Sequence, residues 1–161
     1  MTKEQYIDQL KLEPHPEGGY FKETYRSDIM EKFSTHDGVR NLCTGIYFLL
    51  TQENFSAFHR IRSDEMWHHY DGSAIEIFWI SQEGKINQVT LGKSLNDYQV
   101  PQAVVPANSW FASCVEEGGD FALAGCTVAP GFDFRDFELA DRVDMLREFP
   151  QFEQIIRKFT R

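Results

Sequence analysis

Nine short runs of strand-like residues follow one another through most of this chain. They are "GYFKETYRS", "LCTGIYFLLT", "SAFHRI", "EMWHHYDG", "AIEIFWIS", "INQVTLG", "QAVVPA", "SWFASCV" and "DFALAGCTVAP". Between them lie turn compositions such as "DGS", "QEGK" and "EEGGD". Short strands at close spacing, broken by glycine-rich turns, constrain the fold to an all-β sandwich or barrel. "GYFKETYRS" alternates Tyr20, Lys22 and Thr24 against Phe21, Glu23 and Tyr25, whereas "LCTGIYFLLT" is dense enough in apolar residues to be covered on both faces. The flanks read differently. "TKEQYIDQLKL" sets Tyr6, Ile7 and Leu10 at helical spacing behind Thr2, which is placed to cap it. "EPHPEGGYF" breaks that helix with prolines and glycines. Near the other end, Met145, Leu146 and Phe149, then Phe152, Ile155, Ile156 and Phe159, return to helical steps around a break at Pro150. No repeat, low-complexity tract or linker divides the chain, so residues 1–161 are expected to form a single domain.

Composition narrows the partners. A chain of 161 residues is long enough to bury a substantial core, and fourteen phenylalanines suggest one lined with rings. A net charge of −9 repels nucleic-acid phosphates and anionic membrane surfaces, so neither is expected as a partner. The three cysteines, Cys43, Cys114 and Cys126, lack CxxC spacing and read as reduced thiols. With no signal-like apolar core in "MTKEQYIDQL" and no membrane-length apolar run, the expected location is cytoplasmic.

The densest chemistry lies in "FHRIRSDEMWHHYDG", residues 58–72, which holds three of the five histidines. Its spacing resembles the first motif of the cupin superfamily, HxH, three or four residues, Glu, six residues, Gly. His59, Ile61, Glu65 and Gly72 occupy those places, with six residues between Glu65 and Gly72. "VVPANSWFAS" resembles the second motif, with Pro106 and Asn108 on its Pro and Gly places and Phe111 where a metal-binding histidine stands. Two of the usual four metal ligands are therefore apolar. Strand alternation from Glu65 puts Trp67 and His69 on its face and Met66, His68 and Tyr70 on the other. His69 is thus the candidate replacement ligand, and His68 and Tyr70 fit packing or a subunit contact.

"LEPHPEGGYFKETYRS", "SAFHRIRSDEMWHHYDG", "PQAVVPANSWFAS" and "GCTVAPGFDFRDFELAD" occur in that order. Together they resemble a small cupin family of unknown function with a PHPEGGYF-type opening. The resemblance implies an all-β cupin double-stranded β-helix, a jelly-roll barrel with short N-terminal and C-terminal helices. It also implies a homodimer, in which the "GYFKETYRS" strand is a candidate edge, and a shape related to sugar-nucleotide epimerases and seed-storage cupins. The ligand it suggests is a sugar, sugar phosphate or nucleotide-sugar-like molecule held in the barrel.

The expected catalytic residues are His59, Glu65 and His69. A glutamate pressed among Trp67, Phe111 and other rings has a raised pKa, and a nearby histidine can share its proton, as isomerases and epimerases require beside a carbonyl. Gln102, Ser109, Trp110 and Phe111 are candidates to line the cavity and read a ring. No cofactor is identified. The motif favours no metal but leaves a divalent ion open, with His59, Glu65 and His69 as ligands if one binds. A barrel that binds a small ligand without turnover is the alternative, and a metal-dependent oxygenase or lyase is the less favoured one. The glycine pair of "PEGGYF" reads as a tight turn before a strand, with a phosphate cradle as the competing reading. Phe132, Phe134 and Phe137 are expected to cover a barrel edge, and Cys126 to be a buried structural thiol.

Overall fold

The computed structural model describes residues 1–161. Helix α1 (Lys3–Leu10) starts at Thr2, whose hydroxyl accepts from the Gln5 amide while the Gln5 side chain accepts from the Thr2 amide, a reciprocal cap. Thirteen strands follow: β1 (Glu13–Pro14), β2 (Tyr20–Arg26), β3 (Met30–Lys32), β4 (Val39–Asn41), β5 (Thr44–Thr51), β6 (Ser56–Arg60), β7 (Asp64–Gly72), β8 (Ile75–Ile80), β9 (Ile86–Leu91), β10 (Gln102–Val105), β11 (Trp110–Val115), β12 (Phe121–Ala129) and β13 (Glu138–Leu139). Two short helices, α2 (Arg142–Glu148) and α3 (Glu153–Lys158), close the chain. All nine strand-like runs form strands. The short pairs β1, β3, β4 and β13 were not anticipated, because two or three residues show no alternation. No helix is long and apolar enough to cross a membrane.

The strands form two main antiparallel sheets. One has six strands in the order β1-β2-β5-β12-β7-β10, the other five in the order β13-β6-β11-β8-β9, and β3 and β4 form a separate ribbon. The sheets face each other as a jelly roll, and the apolar face of each is buried against the other. Phe48, Leu50, Trp67, Ile75, Ile77, Leu91, Val105, Phe111 and Val115 fill part of the interior. Phe48 and Trp67 meet edge to face at 5.5 Å between ring centres. Outside the six-stranded sheet, Leu12 with Tyr6, Ile7 and Leu10 of α1 covers Leu49 and Leu123. This is why β5 is buried on both faces over Phe48–Thr51. Outside the five-stranded sheet, Met145, Phe149, Ile156 and Phe159 cover Phe58, Ile80 and Trp110.

Beyond Phe21, the outer edge of β2 has no strand partner, since β1 pairs only through Glu13 and Pro14. The other edge of β2 is paired with β5.

Candidate functional site

One part of the barrel is left unfilled. A cavity of about 300 Å³ lies between the sheets, lined by His15, Glu17, Phe21, Glu23, Arg26, Thr44, Ile46, His59, Ile61, Glu65, Cys126, Val128, Phe132, Asp133 and Phe134. Its polar side chains arrive from separate places. His59 comes from β6 in one sheet, Glu65 from β7 and Cys126 from β12 in the other, and Glu17 from the turn between β1 and β2.

That turn is built by its glycines. Gly18 and Gly19 have φ of +115° and +77°, a region that L side chains rarely occupy. A β-carbon on Gly18 would lie 2.0 Å from the Phe55 carbonyl oxygen, and one on Gly19 2.9 Å from that of Leu49. Only a bare backbone can sink this far against the neighbouring chain. The Glu17 carbonyl accepts from the Ala57 amide at 2.8 Å and from Arg161 Nη1 at 2.8 Å, so the turn is tied to β6 and to the C-terminal residue. These contacts hold the Glu17 side chain inside the barrel, 6 % exposed as a residue.

There Glu17 Oε2 is 2.8 Å from His59 Nε2, and Glu17 Oε1 accepts from the Ser56 hydroxyl at 2.9 Å. His59 Nδ1 donates to the Ala57 carbonyl at 2.7 Å. Burial opposes charge on both groups, but their attraction outweighs it. The Glu17 carboxyl is held below its ordinary value by His59, and the His59 imidazole above its own by Glu17 and, more weakly, Glu65. The pair is a buried carboxylate and imidazolium. Phe111 and Phe137 pack against the imidazole, at 4.0 and 5.5 Å between ring centres.

Glu65 differs. Burial pushes its carboxyl up to about 7, the Glu17 charge adds to this, and His59 and a hydrogen bond with Cys126 offset part of it. It therefore exchanges its proton near neutral pH, the range in which an acid–base group works best. The Cys126 thiol is pushed well above its usual value by burial and the Glu65 charge, so it stays protonated. It is an inert partner rather than a nucleophile.

His15 completes the set. Its Nδ1 accepts from the Glu17 amide at 3.2 Å, and burial lowers its pKa, so the ring is neutral with its proton on Nε2. The 3.6 Å approach of Nδ1 to Glu17 Oε2 is therefore not an ion pair. Phe21 meets the His15 ring edge-on at 4.7 Å.

The residues proposed from sequence are distributed unequally. His59 and Glu65 line the cavity, and Phe111 backs His59 from the core. His69 faces inward and is buried, as alternation implied, but it stands four positions along β7 from Glu65, about 13 Å at strand spacing. Its Nε2 donates to the Ser73 carbonyl at 2.8 Å and its Nδ1 has no partner. Gln102 lies opposite His68 on the outer face and bonds its Nδ1 at 3.0 Å. Trp110 packs outward beneath the C-terminal helices, with the Arg60 guanidinium over its ring at 4.4 Å. Ser109 is buried before β11, away from the cavity lining. Phe132 and Phe134 line the cavity. Glu17 and His15 are the functional candidates that motif spacing missed. The available signal was a His and a Glu caught between two prolines and two glycines in "PHPEGG".

The donor set does not fit a metal centre. No three His, Cys, Asp or Glu side chains converge so as to share an ion, and Ile61 and Phe111 fill two ligand places of the motifs.

Two facing antiparallel sheets around a cavity lined by the first motif, with Phe111 of the second behind His59, define a cupin barrel. The chain belongs to the cupin superfamily, in the family described as DUF985, whose model matches residues 4–140. The uncharacterized protein YML079W of Saccharomyces cerevisiae is 31 % identical over 157 residues, 89 % of this chain and 78 % of the relative. A hypothetical protein from Leishmania major superposes with a TM-score of 0.95 at 32 % identity, covering 99 % of each chain. A Shewanella oneidensis protein does so at 0.92 and 38 % identity, covering 100 % of this chain and 98 % of its own. A mutant of Bacillus subtilis oxalate decarboxylase shares the fold alone, with a TM-score of 0.57, 10 % identity, and coverage of 92 % of this chain and 37 % of that one.

Proposed function

We propose that the barrel binds a small hydroxycarbonyl compound of the sugar class and moves a proton on the carbon beside its carbonyl, as an isomerase or epimerase does. The observation that carries this reading is the Glu65 carboxyl, buried in the cavity and pushed up to about 7 beside the Glu17–His59 ion pair. Glu65 is the proton carrier in this scheme. His59 is not, because Nδ1 is held by the Ala57 carbonyl and Nε2 by Glu17. The ionised Glu65 takes the proton from carbon, and the resulting acid returns it. His15 Nε2–H faces the cavity without a partner in the chain and is placed to stabilise the carbonyl oxygen as it gains charge. Phe21, Ile46, Val128 and Phe132 exclude water from the reacting carbon.

A second reading, ligand binding without turnover, is favoured by one observation. Both Glu17 oxygens and both His59 nitrogens are used up within the protein, as in a fixed scaffold. Deuterium wash-in from solvent into a panel of hydroxycarbonyl compounds separates the two readings. Proton transfer predicts exchange at the carbon beside the carbonyl, slowed about 10²–10⁴-fold by Glu65→Gln. Ligand that binds but never exchanges establishes the binding module instead.

A further inference from the structure

The cavity's charges are already committed. Arg26 is the one lysine or arginine in its lining. Its Nε and Nη2 clamp the Glu23 carboxylate at 3.0 and 2.7 Å, and its Nη1 donates to Asn41 Oδ1 at 2.9 Å and to the Phe132 carbonyl at 3.0 Å. Four of the five guanidinium protons thus have partners. The charge on His59 is matched by Glu17. Asp133, also in the lining, is clamped from outside by Arg135 through bonds of 2.9 and 2.8 Å, which holds its carboxyl far below the usual range. The cavity therefore presents four carboxyl groups, Glu17, Glu23, Glu65 and Asp133, and no cation without a partner.

A phosphate or carboxylate ligand needs charge-assisted donors to replace its water. Here it would have to displace Glu23 from Arg26, and it would face ionised Asp133. The donors that do face the cavity suit oxygen without charge: His15 Nε2–H, and the Glu65 hydroxyl when protonated. Around them stand the rings of Phe21, Phe132 and Phe134. The volume of about 300 Å³ is at the bottom of the range for small-molecule pockets, too little to enclose a nucleotide with its sugar.

From this we infer that the ligand is an uncharged, monosaccharide-sized hydroxycarbonyl compound, and that Glu23 rejects phosphorylated forms by occupying Arg26. The carbonyl in this description rests on the proton-transfer reading above; the absence of charge rests only on the lining. Calorimetric titration with matched pairs, glucose and glucose 6-phosphate, fructose and fructose 6-phosphate, tests it. At least one free sugar should bind at least tenfold more tightly than its phosphate. Glu23→Gln, which removes the counter-charge of Arg26 and frees one of its two clamped donors, should narrow that ratio tenfold or more. A phosphate that binds as tightly as its free sugar overturns the inference, as does binding by neither member of any pair. A ratio unmoved by Glu23→Gln overturns the role of Glu23. Deuterium wash-in is read on the same samples. A free sugar that binds without exchange sinks the proton-transfer reading and leaves the charge inference standing. Exchange into a phosphate in preference to its free sugar does the reverse.

Discussion

Along β7, Glu65 faces a cavity with carboxylates and an imidazolium, while Trp67, two residues further, is sealed in an apolar core with Phe48, Val105 and Phe111. Both regions are made by the same strands with the same in–out alternation. What separates them is the turn at His15–Gly19, which sinks a glutamate into one end of the barrel and has no counterpart at the other. One end is stabilised by area removed from water, the other by a buried ion pair whose desolvation cost must be offset by good geometry. The polar end is the costlier to build, and its three carboxyl and imidazole groups at close range are the basis for proposing function there.

The sharpest break in this comparison pairs Phe48→Ala with Glu17→Gln. Each should cost about 3–5 kcal/mol, the first by opening a cavity, the second by leaving His59 without its counter-charge. Their pH dependence should differ. The folded-state pKa of Glu17 is depressed, so its contribution is lost as pH falls through that value. That of His59 is raised, so its contribution is lost as pH rises through that value. The Glu17→Gln penalty should therefore peak between the two and shrink on either side, whereas the Phe48→Ala penalty stays level. Denaturant titrations across pH measure both.

A smaller effect, of opposite sign, is expected at Glu65. Its carboxyl rises from 4.5 to about 7 on folding, so between those values the folded state holds the extra proton and stability falls as pH rises. Glu65→Gln removes that penalty. Relative to the wild type it should gain up to about 3 kcal/mol between pH 4 and pH 8, with the gain complete once pH exceeds the folded value. A gain that is the same at both pH values would remove Glu65 from the list of strained groups.

The sequence shows the barrel well and the site in part. Short alternating runs between turns fix nine strands, and motif spacing brings His59, Ile61 and Glu65 together, because both signals are local. Alternation puts His69 on the inner face, and its four-residue separation from Glu65 already sets it well along the strand. The face of Gln102 depends on its register opposite His68, a long-range fact. Trp110 was legible: it precedes Phe111 on a strand, and neighbours on a strand cannot both face in. Glu17 was not. Its partner His59 is reached only through a turn whose two positive-φ glycines pack against the chain near Phe55 and Leu49, and no periodicity records such a contact.

Proton transfer in the barrel requires a Glu65 carboxyl that changes its protonation near neutral pH. Carbon-13 NMR of protein labelled at the glutamate carboxyl carbons, with Glu65→Gln to assign the signal, measures it directly. One resonance, absent from the variant, should titrate at about 7. If the Glu65 signal titrates instead near 4.5, the ordinary value of its own carboxyl, that group is not held for proton transfer and the proposed chemistry is contradicted.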